Sequence, residues 1–277
     1  MSGPDLSLVL PAYDCASFIA GNVTRALATF DERQIAGEVV VADDGSTDGT
    51  ADAVPPAPNV RILRLPHRGK GGALRAGMAA ATGEVRAFTD ADLPYGLEPV
   101  LAGATRIRAG HAHAVIGDRT LPGSRYESSS LRRAMSALAN AAFRGLSPGG
   151  AYDTQCGLKC FRGDVAAEVF RLARVDGFAI DIEVLLLLRR YGLVIERVPV
   201  RLEAVGKTSV HMLRDSVTAA RDVAAIRVAW GRGRYRSPAL ERIGAAGPGP
   251  EAAPAEVPPT DLSGDAPGLP GGAPGAP

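Results

Sequence analysis

Acidic and basic side chains that could do chemistry follow three short apolar runs in this 277-residue sequence. These clusters are Asp43/Asp44, Asp90/Asp92 and Asp118/Arg119. Two carboxylates spaced two residues apart after an extended run can face the same side, as Asp90 and Asp92 would. Such a pair suits a hard divalent cation that keeps positions open for phosphate oxygens. A solvated turn with two helix-capping acids would give the same pattern, so the pair alone leaves both interpretations open.

The turn-rich segment Asp43–Thr50 has a similar ambiguity. Asp44 could accept hydrogen bonds from a nucleobase or a ribose. Alternatively, Asp48 caps the next helix while Gly45 takes a positive φ, and the segment is only a turn and a cap.

The segment Arg68–Ala73 combines cations with closely spaced glycines. Glycines permit close backbone approach, and cations beside a helix N-terminus favour an anionic ligand. The dinucleotide-binding fingerprint is excluded, because Leu74 stands where its third glycine is required. Only three of the 31 basic residues are lysine, and each lies in a polar segment that contains glycine. This distribution marks three candidates for chemistry, although chance would also give it: Lys70, Lys159 and Lys207.

Two further groups of side chains have a functional and a structural interpretation. Asp181 and Glu183 begin an apolar helical stretch, where an acid either caps the helix or serves as a general base. Arg119 with a second cluster could grip a phosphate, or the cluster could be an ordinary solvated helix face. That cluster consists of Arg132, Arg133 and Ser136.

The order of apolar runs predicts an α/β fold with a mostly parallel sheet covered by helices on both faces. Predicted strands are Leu6–Leu10 (ended by Pro11), Glu38–Ala42, Arg61–Leu65, Val85–Thr89 and His113–Gly117, and predicted helices include Ser17–Thr29 and Gly71–Ala81. In such sheets ligands bind at the carboxyl ends of the strands, where the three charged clusters lie.

The C-terminal part divides into segments of different composition. We expect a single folded domain over 1–230, a basic connector over 231–243 and a disordered tail over 244–277, which is rich in Pro, Gly and Ala. Before the connector, an apolar stripe at helical spacing precedes basic and aromatic residues, a combination that suits the surface of an anionic membrane or a helix docked on the core. The stripe consists of Leu213, Val217, Ala220, Ala224 and Val228.

Composition excludes several classes of protein. A net charge of +1 argues against nucleic-acid binding. Three cysteines cannot form a disulfide framework, and the sequence lacks a signal peptide and any apolar run long enough to span a membrane. We therefore expect a cytoplasmic protein, with peripheral contact to the inner membrane face if the basic segment binds lipid.

Taken together, the motifs resemble the inverting family 2 glycosyltransferases with a GT-A fold, especially the synthases of polyprenyl-phosphate (dolichyl-phosphate) glucose and mannose. The matching stretches are Leu8–Asp14, Val39–Thr50, Gly69–Gly77, Thr82–Glu84, Asp90–Leu93, Gly117–Arg119, Asp153–Phe161 and Phe178–Leu185. The resemblance covers about residues 6–230, and the order and spacing of the motifs carry it.

The resemblance implies a role for each matching position. The implied nucleotide-sugar-binding residues are Pro11, Tyr13, Asp14, Asp44, Lys70, Asp90, Gln155, Lys207 and Ser209. The implied acceptor-phosphate residues are Arg119, Arg132, Arg133 and Ser136. Asp92, with Asp90, would hold Mg²⁺ or Mn²⁺, and we expect Asp92, Asp181 and Arg119 to be the catalytic residues.

The resulting prediction is a metal-dependent inverting hexosyltransferase that moves glucose or mannose from UDP-glucose or GDP-mannose to polyprenyl phosphate. Pro94 stands where mannose-type members often carry glutamine, which favours the glucose type or a looser metal site. A phosphate acceptor is already an anion and needs positioning more than a base. A soluble hydroxyl acceptor on the same fold would need Asp181 as a base, and a non-catalytic nucleotide-sugar-binding protein is the more distant alternative.

Overall fold

The computed structural model describes residues 3–124, 153–154, 156–203 and 212–249, and for 212–220 the backbone only. Its strands are β1 (Leu6–Ala12), β2 (Gly37–Asp43), β3 (Val60–Arg64), β4 (Val85–Phe88), β5 (Ala114–Asp118), β6 (Lys159–Arg162) and β7 (Ile195–Pro199). Its helices are α1 (Ala16–Glu32), α2 (Thr50–Ala53), α3 (Lys70–Ala80), α4 (Glu98–Arg108), α5 (Gly163–Leu172), α6 (Ile180–Arg190), α7 (Met212–Gly231) and α8 (Pro238–Ala246).

The strands form one sheet in the order β3-β2-β1-β4-β6-β5-β7. β6 runs antiparallel to both of its neighbours, and the other pairs are parallel. The antiparallel register places Lys159, where β6 begins, opposite Phe88, where β4 ends. The start of β6 therefore lies at the edge of the sheet where the parallel strands end.

Alternating side chains of the strands supply two cores, one on each face of the sheet. In β1, Leu8 and Leu10 face α1 and α4, whereas Val9 faces the layer that contains α3, α5 and α6. Both faces are covered, which explains why β1 and β2 are almost continuously apolar. The predicted α/β class and mostly parallel sheet are confirmed.

Pro11 lies inside β1 and does not end it, contrary to the sequence prediction. β4 pairs with β1 only over Leu6–Val9, so Pro11 lies beyond that ladder and pairs with Ala42 of β2 alone. Proline is tolerated in a strand where its missing N–H is not required by a neighbour. The other predicted strands and helices shift by one to three residues at their ends.

The segment 231–243, which we expected to be a basic connector, contains most of α8. Ser237 caps this helix by accepting a hydrogen bond from the Leu240 N–H, and Leu240 and Tyr235 are buried. Tyr235 donates a hydrogen bond to Glu183 and accepts one from the Tyr191 hydroxyl through its main-chain oxygen. Aromatic and aliphatic anchors among the arginines thus dock the segment on α5 and α6. Of the predicted tail, 244–249 continue this segment and 250–277 lie outside the described residues.

The apolar stripe predicted for α7 is not its buried face in the part whose side chains are described. Ile226 and Ala229 are buried, whereas Ala224 is exposed and Val228 is 50 % exposed. None of the helices in the described ranges has the length and apolar character needed to cross a bilayer.

Candidate active site

The loops that follow β1 and β2 are tied together by their own polar groups. Asp14 has a φ of +47°, a conformation that non-glycine residues rarely adopt. Its N–H donates to the Ser46 hydroxyl and its carboxylate accepts from the Thr47 N–H, both at 2.9 Å. The Asp48 carboxylate accepts from the Thr50 N–H, where α2 begins, and from the Ala16 N–H, where α1 begins, both at 2.9 Å, so it caps the next helix as predicted and the preceding one as well. Backbone strain held in this way is common at binding sites.

Asp44 lies at the centre of this edge, but its carboxylate already has partners. It accepts from the N–H groups of Arg68 and Gly69 at 2.9 and 2.8 Å, and His67 Nδ1 lies 2.9 Å from it. Asp44 thus fixes the loop that contains residues 67–69. Tyr13, 44 % exposed, packs its ring against His67 with centroids 4.5 Å apart and forms an open aromatic wall beside it.

The glycine-rich segment does not offer a free helix N-terminus to an anion, contrary to the sequence interpretation. The N–H groups of Gly71 and Gly72 donate to the main-chain oxygen of Asp176 at 2.7 and 3.3 Å. The Asp176 carboxylate pairs with Arg68 and Arg75. Gly69, at φ +110°, leaves space for this contact, because a Cβ there would lie 2.6 Å from the Asp176 oxygen. The first turn of α3 is thus capped by the protein itself.

Four charged side chains of alternating sign form a line through the site. Lys70 Nζ lies 2.8 Å from an oxygen of Asp90 and 3.6 Å from Asp181, and Lys159 Nζ lies 2.5 Å from the other oxygen of Asp181. Lys159 and Asp181 are buried, whereas the Asp90 side chain is 41 % exposed. Burial would lower the pKa of Lys70, but the charges of Asp90 and Asp181 outweigh it and raise that pKa. The line keeps Lys70 positively charged.

On the other side of the site, Arg119 is held by Asp153. Its Nε and a terminal nitrogen lie 2.5 and 2.6 Å from the two carboxylate oxygens, a bidentate pair. Burial alone would raise the pKa of Asp153, but the hydrogen bonds and charge of Arg119 lower it. The neighbouring Asp118 is buried, caps the Thr120 N–H at 2.8 Å and pairs with Arg197. Arg119 is therefore presented in one orientation at the end of β5.

Asp90 and Asp92 follow β4 directly and are half-buried. One oxygen of Asp90 lies 2.8 Å from Lys70 Nζ, and the family resemblance implies Asp92 as the main metal ligand. Mg²⁺ in phosphate-transfer sites is commonly bound by one or two carboxylates, with substrate phosphates and water as the other ligands. The described ranges contain no group of three or more His, Cys, Asp or Glu side chains that could hold a metal ion. The donor chemistry of this pair fits Mg²⁺ or Mn²⁺.

Six predicted site residues lie outside the described residues, and the remaining predicted positions all lie at this edge of the sheet. The six are Arg132, Arg133, Ser136, Gln155, Lys207 and Ser209. Sequence reasoning missed the structural parts played by Asp153 and Asp176, whose partners lie far away in the chain. The one sequence feature that indicated a special role for Lys159 is that lysine is rare in this chain.

Solved structures with this architecture are GT-A glycosyltransferases. The chain superposes on glucosyl-3-phosphoglycerate synthase from Mycobacterium tuberculosis with a TM-score of 0.58 and 23% identity, covering 82% of this chain and 80% of that one. Mannosyl-3-phosphoglycerate synthase from Rubrobacter xylanophilus gives 0.57 and 20%, covering 84% and 77%. At these identities the likeness establishes the fold, and the predicted GT-A fold is confirmed.

The family follows from the sequence. The family model described as "Glycosyl transferase family 2" matches residues 7–169, more than half of the chain. The chain belongs to this family and is a glycosyltransferase, as predicted.

Among curated relatives, the dolichyl-phosphate beta-glucosyltransferase of Dictyostelium discoideum is 28% identical over 254 residues, which cover 80% of this chain and 73% of that protein. The Saccharomyces cerevisiae protein of the same name is 27% identical, with 83% and 76% covered. Glycosyltransferase AglD of Haloferax volcanii is 30% identical over 77% of this chain but only 35% of its own length.

Proposed function

We propose that this enzyme transfers a hexose from a nucleotide sugar to a polyprenyl phosphate with inversion at the anomeric carbon, and that the hexose is glucose. Two relatives named dolichyl-phosphate beta-glucosyltransferase, each aligned over most of both chains, support the acceptor class and the sugar. UDP-glucose is the donor that we favour over GDP-mannose, since Pro94 replaces the glutamine expected of mannose-type members.

The observation that carries the acceptor assignment is the environment of Asp181. Both of its oxygens face ammonium groups, and the residue is 3 % exposed. A hydroxyl acceptor needs a base with an oxygen open to its proton, and both oxygens of Asp181 already face lysine ammonium groups. An acceptor phosphate is already anionic and can attack without losing a proton.

In the proposed reaction, an oxygen of the acceptor phosphate attacks the anomeric carbon while the bond from that carbon to the nucleoside diphosphate breaks. Negative charge moves to the leaving diphosphate, which Lys70 is placed to face. A divalent cation held by Asp92 and Asp90 would neutralise part of this charge. Arg119 would orient the acceptor phosphate, and Asp153 would keep its guanidinium in place.

On the donor side, the strained loop at Asp14 and the wall formed by Tyr13 beside Pro11 would enclose the nucleotide. Asp44 would act through the backbone of the 67–69 loop. Roles for Gln155, Lys207 and Ser209 at the sugar and diphosphate, and for Arg132, Arg133 and Ser136 at the acceptor phosphate, remain those implied by the family resemblance.

The enzyme would reach a lipid acceptor from the cytoplasmic face of the membrane through the exposed residues at the C-terminal end of α7. Val228 and Trp230 are 50 % and 37 % exposed on either flank of its buried face, with exposed arginines at 227, 232 and 234 nearby in the chain. Apolar and aromatic side chains among cations suit the headgroup region of an anionic bilayer.

The test is turnover of UDP-glucose and GDP-mannose with Mg²⁺ or Mn²⁺, offering polyprenyl phosphate in detergent beside a panel of soluble alcohols. We expect glucose on the phosphate lipid. Transfer to an alcohol alone would contradict the assignment of a phosphate acceptor, although the protein would still be a glycosyltransferase. Hydrolysis of the donor, or binding without transfer, would favour a different role for the site.

A further inference from the structure

We infer that Lys159 is a positioning residue, whose buried ammonium group fixes the loop that carries Asp153 against the part of the site that carries Asp90. This inference rests on the proposed function for the identity of the acceptor, but its geometry does not depend on it.

The ammonium group of Lys159 has a complete set of acceptors and no exposed surface. It lies 2.5 Å from an Asp181 oxygen, 2.8 Å from the Cys156 carbonyl oxygen and 3.5 Å from the Thr154 carbonyl oxygen. An ammonium group has three N–H donors, and each has an acceptor here. The Phe88 ring lies below it, 5.4 Å from Nζ to the ring centroid.

One of these contacts leads to the donor side. Asp181 also faces Lys70, and Lys70 holds Asp90, so a displacement of Asp181 changes the partners of both. The Phe88 ring also lies below Lys70, with Nζ 5.9 Å from its centroid. The two ammonium groups thus share a carboxylate and an aromatic ring.

The carbonyl contacts lead to the acceptor side. Thr154 and Cys156 belong to the stretch that follows Asp153, the residue that orients Arg119. The same stretch touches the donor side at Gly157, where a Cβ would lie 2.0 Å from an Asp90 oxygen. By binding two carbonyl groups, Lys159 fixes both Asp153 and Gly157.

A buried cation is costly, and its removal leaves a buried anion without its main partner. In Lys159→Met, Lys70 would be the one remaining ammonium group of this pair facing Asp181. The carbonyl groups of Thr154 and Cys156 would lose the ammonium group that donates to both of them. We expect the 153–157 stretch to loosen and Arg119 to lose its fixed orientation. Misplacement of a reacting group by about 1 Å can cost about 100-fold in rate.

The experiment measures kcat and the KM for the acceptor in Lys159→Met and in Lys159→Met/Asp181→Asn, together with Tm. We expect the acceptor KM to rise about 10-fold and kcat to fall about 100-fold in Lys159→Met. Because the double variant removes the unpaired charge, its Tm should recover while its acceptor KM stays high.

Ser7→Ala is the matched control for loss of stability. Ser7 is buried at the opposite edge of the same sheet, where its hydroxyl donates to Glu38 at 2.6 Å. It should lower Tm without changing the acceptor KM, because KM does not depend on the fraction of folded enzyme.

A structural role for Lys159 would lower Tm and apparent kcat and leave the acceptor KM unchanged, and that result would overturn the inference. Recovery of the KM in the double variant would overturn it as well. If the wild-type enzyme uses a soluble alcohol and not polyprenyl phosphate, the proposed function fails, and the same KM comparison with that alcohol still decides the role of Lys159.

Discussion

At the scale of single residues, the aspartates at this site have the same side chain but different bonding partners. Asp44 accepts backbone N–H groups, Asp153 holds an arginine and Asp181 lies between two lysines. A sequence shows which carboxylates are present, but their partners decide which ones can meet a ligand.

Asp92→Asn should reduce kcat at least about 100-fold, because it removes the main carboxylate expected to bind the metal that offsets charge on the diphosphate. Steady-state turnover with saturating Mg²⁺ or Mn²⁺ measures this, and an excess of chelator should abolish wild-type activity. Glu98→Gln, an exposed change at the start of α4, is the control. Full activity of the wild type in chelator would contradict the proposed metal dependence.

Asp153 should make part of the stability depend on acid pH. Its pKa lies below the ordinary value of 3.8 in the folded protein, so its stabilising effect is present above that value and is lost as pH falls through the folded pKa. Between about pH 5 and about pH 3, the free energy of unfolding should therefore fall more steeply in the wild type than in Asp153→Asn.

At neutral pH, the Asp153→Asn variant should be less stable by about 3 kcal/mol, because Arg119 loses its buried partner. Urea unfolding at each pH gives both quantities. Asp52→Asn removes an exposed ion pair with Arg64 and should follow the wild-type profile within about 0.5 kcal/mol. Parallel profiles for Asp153→Asn and the wild type would show that the pair does not carry the acid sensitivity.

At the scale of elements, the antiparallel strand β6 brings Gly157 and Lys159 to the site. The apolar pattern predicts five strands and none over 159–162, since four residues with mixed polarity give no clear period. Only pairing with β4 and β5 shows that this strand runs backwards and begins where its neighbours end.

Gly157→Ala should reduce kcat/KM about 100-fold, because the added methyl group would displace Asp90 or the 153–157 stretch. Overpacking of this kind also costs about 1 to 3 kcal/mol of stability, which thermal unfolding reports. Gly21→Ala is a matched control on the exposed face of α1, where nothing lies within 4 Å of the new Cβ. It should raise stability by about 1 kcal/mol and leave activity unchanged. Wild-type activity in Gly157→Ala would mean that the stretch does not constrain Asp90.

Tyr235→Phe should destabilise the protein by about 1.5 kcal/mol, because it removes a hydrogen bond to the buried Glu183 carboxylate. Glu183 also accepts from the N–H groups of Arg174 and Val175, next to the residue that caps α3. The KM for the nucleotide sugar should therefore rise as well. Tyr191→Phe removes only a bond to a main-chain oxygen and should affect stability less and the KM not at all. An unchanged KM for the nucleotide sugar in Tyr235→Phe would show that the hydrogen bond from Tyr235 to Glu183 does not affect binding of the donor.

At the scale of the whole molecule, the exposed residues at the C-terminal end of α7 should bind vesicles of anionic phospholipid. Co-sedimentation should decrease with added salt and in Trp230→Ser or Val228→Asp, since binding combines charge attraction with apolar insertion. Phe18→Ser removes an equally exposed aromatic residue from α1 and should leave binding unchanged. Equal binding of vesicles by all variants would show that the membrane contact does not involve Val228 or Trp230.

Much of the fold was predictable because buried parallel strands and amphipathic helices leave clear patterns. The rule that ligands bind at the carboxyl ends of parallel strands places Asp44, Asp90 and Arg119 at one edge from the sequence alone. Partners distant in the chain could not be predicted: Asp176 occupies the helix N-terminus at Gly71 that was predicted to bind an anion, and Glu183 binds Tyr235 in the basic segment. Local sequence reports a helix N-terminus or a basic segment, but not that Asp176 caps the first or that Glu183 binds the second.

The contact between Tyr235 and Glu183 has a consequence for synthesis of the protein. The loop at 174–176 caps the helix that begins at Lys70, and Glu183, which holds that loop, takes one of its hydrogen bonds from a residue more than fifty positions later. A nascent chain that has emerged only through β7 already contains the seven strands of the sheet, yet it lacks the hydroxyl group that completes this buried carboxylate. The contacts of this loop, beside the proposed donor side, are therefore complete only after the sheet, when the ribosome has released the segment that contains Tyr235 and α8.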